Sequence, residues 1–231
     1  MVHGAGGGGW EYHLWQPVFE KAGWTVVAPD LVPTEGGLER TRFSDYQAQA
    51  VQWSQRRGGR LVLIGASMGG ILSLKAAETI SPDAIVLVNS TTPKGVGPPR
   101  RGEAAPPVIR WANGPREETE VSMPDSDEAT IEYAWKRWRD ESGAVVNEIR
   151  AGKEALRPAC PVLVVLGQKD TDIPYTAGLE LARWAGADVH LYAGMSHVGP
   201  LMSTRAAEVA QGILDWLKKK VPAKAAVSPS R

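Results

Sequence analysis

The chain has 231 residues, 26 Lys plus Arg against 26 Asp plus Glu, and a 43% apolar fraction. That suits one domain with a full core, and the balanced charge leaves no bulk field to draw nucleic acid or an anionic membrane. A lone cysteine, Cys160, leaves no internal disulfide and fits a reducing, cytoplasmic setting. No apolar run nears the ~20 residues of a membrane span, and no signal peptide is expected. The four histidines lack metal-binding spacing, so neither metal nor cofactor is expected.

Met1-Val2 reads as a stub of strand, followed at once by His3-Gly4-Ala5-Gly6-Gly7-Gly8-Gly9-Trp10. Such a run lets backbone approach something closely. Leu14, Trp15, Val18, Phe19 and Ala22 follow helical spacing from about Tyr12, with Gly23 as the stop. Residues 24–28 read as a strand ending in Pro29-Asp30, and 31–43 as a loop. Ser44 is read as the cap of a helix reaching Arg57, which Gly58-Gly59 ends.

Residues 61–64 (Leu-Val-Leu-Ile) want burial on both faces, as a central parallel strand does. The run stops at Gly65-Ala66-Ser67-Met68-Gly69, and Ile71, Leu72, Leu74, Ala76 and Ala77 then read as a helix. Strand, tight turn and helix are the context in which G-x-S-x-G exposes a reactive serine. A second buried strand follows at 84–88. The βα rhythm breaks from Asn89 to about Ala159 and resumes at 162–166. A helix over 176–185, a strand over 189–193 and a helix capped by Ser203 follow, and 218–231 read as a disordered tail. This alternation predicts a doubly wound, mostly parallel α/β sheet, with the core in 1–90 and 160–217. Ligands bind such sheets at the carboxyl ends of their strands.

A serine hydroxyl needs a base, and the base needs an orienting acid. His197 sits in the loop Gly194-Met195-Ser196-His197-Val198-Gly199-Pro200 after the last strand. Asp170 and Asp172 compete for the acid after residues 162–166, with Asp170 favoured for its nearness to the strand end. His13 and His190 read as structural. The order Ser67, Asp170, His197 follows one family of triads.

With these residues the sequence resembles the α/β-hydrolase superfamily over 2–217, apart from the interruption. The resemblance rests on His3-Gly4, the Ser67 elbow, Gly167-x-x-Asp170 and the His197 loop. It implies Ser67 as nucleophile, His197 as base then acid, Asp170 as orienter, and an oxyanion hole made by the N–H groups of Ala5 and Met68. The glycine run looks like that of the small esterases and hydroxynitrile lyases, but Val198 stands where the lyases carry a lysine, which counts against lyase activity. Met1-Val2 is short for the strand before such a loop. The reading therefore expects either a truncated reading of a longer gene or an abbreviated sheet, with a looser oxyanion loop.

Residues 91–159 fall where this superfamily inserts a cap. Helices are expected after Ser126 or Asp127 and over 144–156, with 136–141 as a solvated helix face. Trp111, Trp135 and Trp138 either line an entrance for an apolar acyl or alcohol group or glue the lid to the core. The expected activity is carboxylic ester hydrolysis on a small-molecule ester. Lactonase, thioesterase, carbon–carbon hydrolase and perhydrolase activities are alternatives on the same residues. A non-catalytic hydrolase-fold binder is a further class, disfavoured by the full Ser, Asp and His set. The rival from another class is an NAD(P)-binding oxidoreductase that uses the G-x-G-x-x-G match in residues 4–9 with Asp30 as ribose ligand. Pro17 within the following helix argues against it.

Overall fold

A computed structural model describes residues 1–55, 58–98 and 102–221. Val2 forms a single parallel bridge to the edge of the sheet, donating to the Ile64 carbonyl at 2.8 Å and accepting from Ala66 N–H at 3.0 Å. A 3-10 turn (Gly9–Tyr12) and helix α1 (Gln16–Lys21) follow. Pro17 lies in the first turn of α1, where a missing N–H costs nothing, so it is no argument against a dinucleotide loop. Residues 24–28 form no strand; the Val27 carbonyl accepts from the Met1 amino group instead. Helix α2 is Phe43–Trp53, and its N-cap is Arg42, not Ser44, because Asp45 reaches back to the Arg42 N–H. Arg57 lies outside the described residues.

Strand β1 (Val62–Ala66), helix α3 (Met68–Ala77) and strand β2 (Ala84–Val88) come as expected. Between β2 and the next sheet strand lie a two-stranded ribbon, β3 (Val108–Ile109) with β4 (Glu141–Ser142), and three helices: α4 (Arg116–Ser122), α5 (Glu128–Trp135) and α6 (Gly143–Arg150). Asp127, not Ser126, caps α5 through the Thr130 N–H, while the ribbon and α4 have no counterpart in the periodicity of the sequence. Strand β5 (Val162–Gly167), helix α7 (Tyr175–Ala185), strand β6 (Asp188–Tyr192), helix α8 (Gly199–Met202) and helix α9 (Ala206–Lys220) complete the chain. Ser203 ends α8, and its hydroxyl accepts from Arg205 N–H, the cap of α9. The lysine run 218–220 belongs to α9, not to a tail; residues 222–231 lie outside the described residues.

The sheet runs β1-β2-β5-β6, all parallel. Strands β1, β2 and β5 are apolar on both sides because both sides are covered, whereas the edge strand β6 leaves Val189 and Leu191 exposed. Ile64, Val86, Val88, Leu163 and Val165 face a cluster with Trp15 and the apolar stripe of α9. Leu63, Ile85, Leu87, Val164 and Leu166 face α2, α3 and α7. Every residue of β2 is at most 1% exposed. At about 1.5–3 kcal/mol for each large aliphatic side chain removed from water, this packing fixes the strand ends on which the site sits.

Candidate active site

Ser67 stands between β1 and α3 with φ 50°, ψ −118°, a strained conformation that only a well-held turn tolerates. The hold is visible. Ser67 N–H donates to the Val88 carbonyl at 3.0 Å, and the Ser67 carbonyl accepts from Gly70 N–H at 3.1 Å and Thr91 N–H at 3.0 Å. The flanking glycines leave room: a Cβ on Gly69 would lie 2.0 Å from the Val2 carbonyl oxygen, and one on Gly65 2.2 Å from that of Gly69.

Asp170 follows β5 and is 7% exposed. Its Oδ1 accepts from Asp172 N–H at 2.9 Å and Ile173 N–H at 2.8 Å, and its Oδ2 lies 2.8 Å from His197 Nδ1. The Asp172 side chain is 68% exposed and stands 4.0 Å from His197 Nε2. Of the two candidates, Asp170 is therefore the buried one in hydrogen-bond contact with the imidazole. Burial pulls the His197 pKa down, but the hydrogen bond and charge of Asp170 outweigh it and leave the pKa raised.

Two further residues hold the His197 loop, and neither stood out in the sequence. Asn89, at the end of β2 with φ 40°, donates to the carbonyls of Ser196 (3.2 Å) and His197 (2.7 Å) and accepts from Gly167 N–H (2.8 Å). Asp125, between α4 and α5, accepts from Ser196 N–H at 3.0 Å and from the Ser196 hydroxyl at 2.6 Å. The usable signal for Asn89 was a polar residue directly after an all-apolar strand; Asp125 had none.

The glycine run is tied by carboxyl groups. Gly4 N–H donates to Glu11 (3.2 Å), Gly6 N–H to Glu141 (3.1 Å) and Gly9 N–H to Asp30 (2.8 Å). Glu141 is 3% exposed and also accepts from Tyr46 Oη at 2.8 Å. Arg139 N–H donates to the Gly6 carbonyl (2.8 Å), its guanidinium donates to the Leu31 carbonyl, and Asp140 accepts from Trp111 and Ala112 N–H. Residues 136–141 are thus no solvated helix face: α5 stops at Trp135, and Arg139 and Glu141 tie the 91–159 segment to the glycine loop. These amides are occupied by acidic side chains, so they are not free to cradle a pyrophosphate. Asp30 spends a carboxylate oxygen on Gly9. The dinucleotide reading loses the Gly4, Gly6 and Gly9 donors.

His3 is buried, accepts from Leu31 N–H at its Nε2 and donates from Nδ1 to the Gly4 carbonyl; burial lowers its pKa to about 4, so it is a neutral brace. His13 stacks on Tyr133, with ring centroids 4.2 Å apart. Glu11 was overlooked in the sequence, although a charge inside a glycine and aromatic run is a signal. It is 4% exposed, and burial, partly opposed by the Gly4 hydrogen bond, raises its pKa to about 7.

A cavity of about 880 Å³ brings Ser67, His197, Ala5, Met68 and Glu11 onto one surface. Trp111, Trp135 and Trp138 line it too. Two of these tryptophans also do structural work, since Trp135 Nε1–H donates to the Gly114 carbonyl and Trp138 Nε1–H to Thr119 Oγ1. Asp170 sits behind His197 rather than on the wall. No cluster of metal-binding side chains occurs among the described residues, and no described helix is long and apolar enough to cross a membrane.

Among known proteins, the chain is 28% identical over 178 residues to norfluorocurarine synthase 1 from Strychnos sp, a match covering 68% of this chain and 64% of that protein's length. Tomato methylketone synthase I complexed with 2-tridecanone superposes with a TM-score of 0.73 at 17% identity, covering 95% of this chain and 96% of that one. Polyneuridine aldehyde esterase gives 0.70 at 21%, covering 93% and 96%. A pyrethroid hydrolase from Sphingobium faniae gives 0.72 at 20%, covering 96% of each. At such identities the solved structures speak for the fold alone. The description of the alpha/beta hydrolase family matches residues 1–211, a span that takes in the Ser67 elbow, the Asp170 turn and the His197 loop, and the chain belongs to that family.

Proposed function

We propose that the protein is a serine hydrolase of carboxylic esters. One observation carries the reading: a serine on a strained elbow opens into the same cavity as an imidazole whose other nitrogen is bonded to a buried carboxylate. Asp170 accepts a hydrogen bond from Nδ1–H, which keeps that proton on Nδ1 and leaves Nε2 of His197 as the basic nitrogen. Nε2 takes the proton of Ser67 as Oγ attacks the ester carbonyl. The N–H groups of Ala5 and Met68 receive the oxyanion, the latter helped by the positive end of α3. The imidazolium then protonates the leaving alcohol, and water repeats the cycle on the acyl-enzyme. Residues 91–159 act as the cap over this chemistry, and Trp111, Trp135 and Trp138 meet the apolar part of the substrate. Lactones, thioesters and carbon–carbon bonds would draw on the same residues.

The test joins a p-nitrophenyl ester panel to a fluorophosphonate label read by mass spectrometry. Label on Ser67 and its loss in Ser67→Ala, with the melting curve kept, support the reading. Turnover unchanged in Ser67→Ala ends it. The raised His197 pKa has a sign: the base is lost on protonation, so kcat/KM should fall on the acid side with a midpoint above the ordinary 6.5.

A further inference from the structure

We infer that the cavity selects esters bearing a fixed positive charge, a quaternary or protonated amine. This rests on the ester-hydrolase reading above. Among the described residues, three carboxyl groups line the cavity, Glu11, Glu118 and Asp172, against a single guanidinium, that of Arg150. Arg150 Nη1 is bonded to the Glu103 carbonyl at 2.8 Å. His197, the remaining ionisable group of the wall among the described residues, serves as the base when neutral. Glu11 is the informative one. It is almost wholly buried, it takes the Gly4 N–H next to the nucleophile, and among the described residues it forms no ion pair.

A buried carboxylate without a counter-ion is costly, and beside a developing oxyanion its charge opposes the reaction of a neutral ester. A cation on the substrate offsets both effects. The aromatic wall is suited to the same guest. The N–H groups of Trp135 and Trp138 are tied to Gly114 and Thr119, so what their rings offer the cavity is carbon surface and π density. Indole is the strongest of the aromatic side chains for holding a cation. Burial raises the Glu11 pKa to about 7, and a bound cation would draw the carboxyl back toward the ionised form.

The experiment compares matched esters on the whole enzyme: butyrylcholine against neohexyl butyrate, and ethyl betaine against ethyl tert-butylacetate. Each pair swaps ammonium for a carbon of the same shape, and rates are normalised to hydroxide hydrolysis. A preference of about 10-fold in kcat/KM for the cation in at least one pair, weakened by salt, is the expected result. Glu118→Gln and Glu11→Gln should each narrow it. The ratio is taken within one preparation, so loss of folded enzyme cancels. Parity, or preference for the neutral ester in both pairs, overturns the inference while the hydrolase reading stands. Titration of tryptophan fluorescence with choline against neohexanol reads binding alone. Should Ser67 take no label and no ester turn over, the hydrolase reading falls, and that titration still decides the cation question: equal affinities sink it.

Discussion

The parallel sheet and the 91–159 segment are built on different physics. In β2 no residue is more than 1% exposed, and each aliphatic side chain is held by many small contacts on both faces. The segment above the sheet buries Met123, Ala134, Val145 and Ile149 against the same core, but it meets the two site loops through single polar ties: Glu141 to Gly6, Arg139 to Gly6, Asp125 to Ser196. The contrast teaches where function can be altered cheaply. The sheet holds the ends of β1, β2 and β5 in place, whereas the glycine loop and the His197 loop depend on a few carboxyl and amide groups.

The largest test of this contrast is Leu87→Ala. A cavity in the middle of β2 should lower stability by about 2–5 kcal/mol, read by urea unfolding; a smaller loss would mean that the core adapts. Glu11→Gln probes the other side through pH. The folded Glu11 pKa, about 7, exceeds its ordinary 4.5. The folded state therefore holds the proton more tightly, and stability from this group is present below 4.5 and lost as pH rises through 7. Relative to wild type, Glu11→Gln should gain on the order of 3 kcal/mol between pH 4.5 and 8. The paired comparison cancels the opposite slope of His3. A flat difference would mean that Glu11 is not buried as its position requires.

Asn89→Ala deletes three hydrogen bonds at once and should cost about 1–3 kcal/mol. Because two of them hold the His197 loop, kcat/KM per folded molecule should fall about 100-fold. Full activity in the folded fraction would show that the loop is placed by other contacts. The smallest effect belongs to Asp125→Ala, at about 1–2 kcal/mol, with Asp125→Asn recovering part of it because an amide oxygen still accepts. Activity lost without recovery in the asparagine variant would point to charge rather than to the bond.

Much of the core was legible. The apolar runs at β1, β2 and β5 have side chains that need burial on both faces, which is a local property, and the glycines around Ser67 mark its bend. The order Ser67, Asp170, His197 could be read because each residue lies in the turn or loop after a strand that could itself be read. Other features could not. Residues 24–28 have strand composition, yet a strand exists only when a neighbour completes its ladder. Residues 136–141 look like a wet helix face, and Glu141 is nonetheless buried because Gly6, Tyr46 and Ser142 supply its donors.

The sequence by itself determined which stretches must be buried, where the chain has to bend, and which side chains could supply a nucleophile, a base and an acid. Only the tertiary structure put Asp170 rather than Asp172 in hydrogen-bond contact with His197 Nδ1, made Asn89 and Asp125 supports of the His197 loop, and put the Glu11 carboxyl on the cavity wall. Burial preference and backbone strain are properties of a residue and its near neighbours. A hydrogen bond or an unpaired charge is a property of whatever distant segment arrives beside it.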